Sequence, residues 1–282
     1  MDESRYDIIG RLADGAMGQV YLARRFPPLD GPQHLVLKRI RPELQTDPNI
    51  VMMFQDEARL AAQMNHPNIV RLYEVGELDG SLFLAMELVE GVTVENLLAT
   101  LVDQRRFIPI ELGLTIAHGI LSALNYAHTF KDAEGRPLNI VHRDVSPQNL
   151  MVSYGGEVKL LDFGVTRAEG RLHQTLPGLL KGKLAYMAPE TIEGRPIDGR
   201  SDLFSLGSVL YEMLLLKHPF FGSTDAMVLR SIVEEPPVHP ADLDPEFPSD
   251  LAELMLDALA KDPEHRIDSA ADFKVRIETF LT

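Results

Sequence analysis

The hydrophobic periodicity of this chain changes near Gly91, and that change constrains the fold more than any other feature. Before it, short apolar-rich runs at 6–12, 19–25, 34–40, 70–75 and 81–88 read as strands separated by turn residues. One helical pattern interrupts them at 50–64, where Met53, Phe54, Glu57, Leu60, Ala61 and Met64 recur at helix spacing before His66-Pro67 ends the run. Beyond Gly91 the pattern is mainly helical. It comprises a long amphipathic stretch at 110–128, a largely apolar one at 203–216, and two more at 251–260 and 270–281. Between them, 142–190 is loop-rich and holds most of the polar residues of interest. A sheet-rich half followed by a helix-rich half predicts an α+β protein of two lobes, with the boundary at 87–91.

Composition excludes several function classes. The chain has no cysteine, which removes disulfides, thiol catalysis and cysteine-ligated zinc. A net charge of −15 argues against a general nucleic-acid binder, which needs a basic face to neutralise phosphates. It suits basic protein partners, although a solvated acidic surface is the simpler reading. No apolar run is long enough to span a bilayer, and the polar start lacks the basic flank and apolar core of a signal peptide.

The run Leu12-Ala13-Asp14-Gly15-Ala16-Met17-Gly18-Gln19-Val20 joins two expected strands. Gly15 and Gly18 lack a Cβ, so the backbone there can approach a polyphosphate closely. Two glycines in a hairpin are more often only a hairpin. No Gly-Lys-Ser/Thr follows, and the next element is a strand, so this is neither a P-loop nor a dinucleotide fingerprint. Lys38 ends the apolar run Leu35-Val36-Leu37-Lys38, where a lysine ordinarily snorkels to solvent. Glu57, on the expected helix, would bridge to it and hold its ammonium toward phosphate oxygens.

Two further strings make the pattern specific: His142-Arg143-Asp144-Val145-Ser146-Pro147-Gln148-Asn149, and Asp162-Phe163-Gly164. With Ala188-Pro189-Glu190, the glycine-rich run, Lys38, Asp202 and Arg266, they fall in an order and spacing that resembles the eukaryotic-like (Hanks-type) protein kinases, bacterial Ser/Thr kinases in particular. The resemblance covers nearly the whole chain. It implies a bilobal protein-kinase fold, with a small antiparallel-sheet N-lobe (1–87) carrying one main helix, a hinge (87–91), and a larger, mostly helical C-lobe (91–282) that holds an activation segment (162–190). It also implies ATP and Mg²⁺, with Mn²⁺ as a substitute metal. By this resemblance Asp144 would orient a substrate hydroxyl and accept its proton, while Asn149 and Asp162 would hold the metal. Lys38, steadied by Glu57, would hold the α- and β-phosphates, and the run from Leu12 through Val20 would lie over them. Val20 and Val36 would pack on adenine, Glu87 and Val89 would offer it backbone groups, and Met86 would stand behind it. Glu190 and Arg266 would form a buried structural ion pair.

The chain departs from the family pattern at three positions. Ala13 replaces the first glycine of the loop, a mild change. Ser146 stands where Ser/Thr kinases place a lysine that touches the γ-phosphate, and Lys183 stands where they place a threonine. The two look like one exchange, a Ser146–Lys183 contact in which Lys183 brings the missing positive charge to Asp144. Arg143 marks the type of kinase whose activation segment is ordered by phosphorylation, and Thr175 is the candidate autophosphorylation site. The alternative is a nucleotide-binding pseudokinase or scaffold, favoured only by Ser146 and Lys183; a small-molecule phosphotransferase suits the Ala188-Pro189-Glu190 segment less well. The expected partners are protein substrates, basic ones among them, with a regulatory partner or self-association and no nucleic acid. The expected location is cytoplasmic, either alone or as the cytosolic domain of a longer membrane-anchored protein.

Overall fold

Alternation along one strand organises the first half of the protein. Leu35 and Leu37 are buried on one face, while Val36 and Lys38 turn to the other. The computed structural model describes residues 5–15, 18–26, 33–78, 80–132, 134–162 and 183–281. They divide into two units: one holds the described residues through Glu90 together with Asp162, and the other holds Gly91–Leu161 and the residues from Lys183 onward.

The first unit is a 5-stranded antiparallel sheet of β1 (Tyr6–Asp14), β2 (Gly18–Arg25), β3 (His34–Ile40), β4 (Leu72–Leu78) and β5 (Ser81–Met86), in the order β1-β2-β3-β5-β4. Helix α1 (Pro48–Ala61) starts at Asp47, whose carboxylate accepts from the Asn49 N–H, with Pro48 at the first helical position. Tyr6, Ala23, Leu35, Leu37, Phe83 and Ala85 form one apolar cluster, and Ile40 and Leu84 form a second with Phe54 and Ala58 of α1. The helix therefore covers the face that presents Lys38. A one-residue slip of β3 would send Lys38 to the opposite face.

β4 runs on past the expected 70–75, through Gly76 and Glu77, which read as a turn in sequence. A Cβ at Gly76 would lie 2.6 Å from the Phe83 ring, so this glycine makes room for an aromatic on β5 and does not end the strand.

The second unit contains a 3-stranded sheet of β6 (Gly91–Thr93), β7 (Leu150–Ser153) and β8 (Val158–Leu160). Its helices are α2 (Val94–Gln104), α3 (Ile110–His128), α4 (Pro189–Ile192), α5 (Gly199–Leu215), α6 (Asp225–Glu234), α7 (Pro240–Leu243), α8 (Ser249–Ala258) and α9 (Ala270–Glu278). α5 is buried along nearly its whole length, and Ser205 and Ser208 return their hydroxyls to the Ser201 and Phe204 carbonyls one turn back. α3 packs on both α5 and α9. The stretch expected to be loop contains β7 and β8, which are too short to display a period. Among the described residues no helix is long and apolar enough to cross a membrane.

Gly91 sits where β6 meets β7. A Cβ there would lie 2.1 Å from the Val152 carbonyl oxygen, and backbone cannot yield as a side-chain tip can. Gly91→Ala is expected to cost about 1–3 kcal/mol, the range for overpacking. A urea midpoint equal to that of the wild type would show that β6 yields freely.

Candidate active site

In the first unit, β3 pairing places Lys38 opposite both Val20 of β2 and Leu84 of β5, and Val36 opposite Met86, so these side chains share the α1 face. α1 then brings Glu57 over that face, with only 6% of the residue exposed. Lys38 Nζ lies 2.6 Å from Glu57 Oε1 and 3.0 Å from Asp162 Oδ2. Burial alone would lower the Lys38 pKa, but the Asp162 and Glu57 carboxylates more than offset it and raise it. Lys38 is thus a fixed cation.

The glycine-rich turn closes with Gly15 N–H donating to Gly18 O at 2.9 Å. A Cβ at Gly18 would lie 2.6 Å from the Arg39 carbonyl, so close strand approach requires this glycine before any ligand is considered. Leu12, Ala13, Asp14 and Gly15 are exposed, and Gln19, Val20 and Val36 are half-buried; Ala16 and Met17 lie outside the described residues. Arg41 holds this turn in a way that no sequence signal suggested. Its Nε donates to Gly15 O at 2.8 Å, and its guanidinium pairs with Asp14, which Arg11 also contacts at 3.0 Å. Further along, the Glu87 N–H donates to Arg71 O at 2.9 Å, so Glu87 has already committed its donor. Val89 is half-buried.

The second unit builds its cluster around Asp202 of α5. Its Oδ2 accepts from His142 N–H and from His128 Nε2, and its Oδ1 accepts from Arg143 N–H, each at 2.8 Å. Burial pushes the Asp202 pKa up, but the His128 hydrogen bond and the electrostatic influence of His128 and His142 outweigh it, and the net shift is downward. The His142 ring ties its own loop to the residue after β8: Nε2 donates to Leu161 O at 2.8 Å, and Nδ1 accepts from Asp144 N–H at 3.2 Å. Arg143 has φ 67° and Asp162 has φ 38°, positive values that non-glycine residues seldom adopt without surrounding restraint. His128 supplies part of that restraint, yet in sequence it was only the last residue of a helix.

Asp144 lies on this fixed loop. Asn149 Nδ2 donates to Asp144 O at 2.7 Å and to Asp144 Oδ2 at 2.9 Å, and Lys183 Nζ lies 2.7 Å from the same Oδ2. The anticipated Ser146–Lys183 contact takes a different form. The ammonium sits on Asp144, and Ser146 Oγ is buried without a hydrogen-bond partner among the described residues. Thr175 and Phe163-Gly164 lie outside the described residues.

Glu190 and Arg266 meet in a two-pronged pair, NH1–Oε1 at 2.8 Å and NH2–Oε2 at 3.0 Å, in the interior of the second unit. Ser201 Oγ donates to the same Glu190 Oε1.

The protein kinase domain family matches residues 6–274. A tyrosine-protein kinase of Myxococcus xanthus, MasK, is 39% identical over 98% of this chain and 43% of its own length. The serine/threonine-protein kinase PknB of Mycobacterium tuberculosis is 35% identical over 96% of this chain and 42% of its own. The chain thus spans about two fifths of the length of these curated relatives. The crystal structure of the Mycobacterium tuberculosis PknI kinase domain superposes with a TM-score of 0.71 at 27% identity, covering 98% of this chain and 96% of that one. This chain belongs to the protein kinase domain family.

Proposed function

We propose that the chain transfers the γ-phosphoryl group of ATP to Ser or Thr hydroxyls of proteins, itself included. Its family generally uses ATP and a divalent metal and acts on proteins. The observation that carries the reading is Asp144, a half-buried carboxylate on a loop pinned by Asp202, with one oxygen oriented by both Asn149 and Lys183. A carboxylate so held can orient a hydroxyl and take its proton.

The residues present fit Mg²⁺. Asn149 gives its amide nitrogen to Asp144 and keeps an amide oxygen as a hard donor, and Asp162 carries a carboxylate; these two residues would hold the metal. Mg²⁺ prefers hard oxygen donors and takes few of them from protein. When bound, the metal would neutralise phosphate charge. The chain's own residues do the rest. Lys38 would hold the non-transferring phosphates, Val20 and Val36 would flank adenine, the turn from Leu12 to Val20 would cover the phosphates, and Val89 would supply the backbone donor that Glu87 has committed elsewhere.

Basic protein substrates suit the acidic groups beside the catalytic loop. Glu95 accepts from Gln148 at 2.7 Å, and Glu212 accepts from the Tyr186 hydroxyl at 2.5 Å. Burial and these two carboxylates raise the Tyr186 pKa. A second reading, tyrosine as acceptor, is favoured by the name of the Myxococcus relative alone. The test is transfer of labelled γ-phosphate from Mg-ATP to the protein itself and to a generic basic protein, followed by phosphoamino-acid analysis. Label on phosphoserine and phosphothreonine in the wild type, absent from Asp162→Ala, is the expected result, and peptide mapping is expected to find Thr175 among the sites. Label confined to phosphotyrosine would replace the Ser/Thr reading with the second one. No label from a folded protein that binds ATP would leave a scaffold.

A further inference from the structure

We infer that Lys183, from the activation segment, is the cation that contacts the transferring phosphoryl group, so this kinase carries the charge opposite its catalytic loop and not on it. The inference rests on the proposed phosphotransfer and deepens it.

Three observations converge. The Lys183–Asp144 pair is neither sealed nor free: at 2.7 Å, each side chain keeps 19% of its surface exposed, so the ammonium has an open side beside the base. Ser146, two residues after the base, is 1% exposed and places an uncharged hydroxyl there without a partner among the described residues. Among the described residues Lys38 is also placed with catalytic groups, but it is committed to Glu57 at 2.6 Å and Asp162 at 3.0 Å. Lys183 is also well anchored. It precedes the turn Leu184–Tyr186, in which both end residues are buried and the Tyr186 hydroxyl is bonded to Glu212 of α5.

The chemistry gives such a cation a task. A hydroxyl donating to Asp144 would lie about 3 Å from it, and the phosphorus about 3–3.5 Å beyond in an in-line arrangement. The O–P bond forms from the substrate oxygen, the bond from phosphorus to the β–γ bridging oxygen breaks, and ADP leaves with that electron pair. The hydroxyl proton passes to Asp144. As it arrives, the carboxylate loses the charge that held the ammonium, just as negative charge spreads over the phosphoryl oxygens. Lys183 stays protonated and moves its contact from carboxylate to phosphoryl.

Lys183→Met should lower the transfer rate about a hundredfold, the scale for one lost transition-state donor, with ADP affinity unchanged. Lys183→Thr should behave alike, and adding Ser146→Lys should recover at least about tenfold by returning a cation to the other side of the base. A merely structural lysine would not be replaced from that position. Lys183→Met with a rate within about threefold of the wild type overturns the inference, as does a Lys183→Thr loss that Ser146→Lys leaves untouched in a protein with unchanged melting. If the wild type transfers no more than Asp144→Asn, the kinase reading falls and this inference falls with it. If the wild type is active and Lys183→Met equals it, only this inference falls.

Discussion

Asp144→Asn is expected to lower phosphotransfer about a thousandfold, within the range that a positioned general base contributes, while the protein remains folded and still binds Mg-ATP. The amide is isosteric, so the loop held by Asp202, His142 and His128 has no reason to move. What disappears is the proton acceptor and the charge that orients Lys183 and Asn149. By transition-state arithmetic a thousandfold corresponds to about 4 kcal/mol. Initial rates at saturating ATP, read beside nucleotide affinity from calorimetry, separate this from a binding defect. A loss below tenfold would remove Asp144 from the role of base and would make the hydroxyl's own acidity, or water, the acceptor.

Arg266→Ala is expected to be the most destabilising single change, at about 3–5 kcal/mol, the cost of breaking a buried pair by removing one partner. The guanidinium is wholly buried and serves Glu190 through two bonds, the Arg200 carbonyl at 2.7 Å and the Ala260 carbonyl at 3.0 Å. It also lies over the Phe204 ring at 5.0 Å, so packing is lost along with charge. Burial pushes the Glu190 pKa up, but Arg266 and the Ser201 hydroxyl more than reverse this and hold it below the usual glutamate range. A depressed carboxylate contributes stability that is complete above its unfolded value, about 4.3, and is lost as pH falls through its lower folded value. The wild type should therefore lose this contribution only below about pH 4.3. In Arg266→Ala the sign should reverse, because a buried Glu190 left with the Ser201 hydroxyl and no cation is expected to titrate above its unfolded value, and the deficit against wild type should shrink on acidification. Urea midpoints at neutral pH and near pH 4 measure both; a deficit that does not change with pH would mean that the pair acts through packing alone.

Much of the architecture was legible because its signals are local. The turn from apolar runs to helical spacing near Gly91 marked a sheet-rich and a helix-rich half, and the strings around Asp144 and Asp162 carried the family. What failed was also local in cause. Gly76 looked like a strand end because a glycine's partner across the sheet, here Phe83, cannot be seen in its own neighbourhood. β7 and β8 were too short to show alternation. α2 buries only Val94 and Leu98, too few positions for its helical stripe to stand out.

The site divides in the same way. Residue types at Lys38, Asp144, Asn149 and Asp162, and the odd pairing of Ser146 with Lys183, are properties of the sequence. Which atoms meet is not. Only the sheet register and the seat of α1 bring Glu57 to Lys38 at 2.6 Å, across a separation at which a lone acid and a lone lysine each look like surface residues. Only the packing of α5 against the catalytic loop recruits His128 to Asp202. Only folding within each unit brings Arg41 to Gly15 and Asp14, and Arg266 to Glu190. Sequence determines which chemistry is present because side-chain type is covalent. Tertiary structure decided that Lys183 rests on Asp144 and not on Ser146, because a hydrogen bond is chosen by distance and competing charge, and neither exists until the chain has folded.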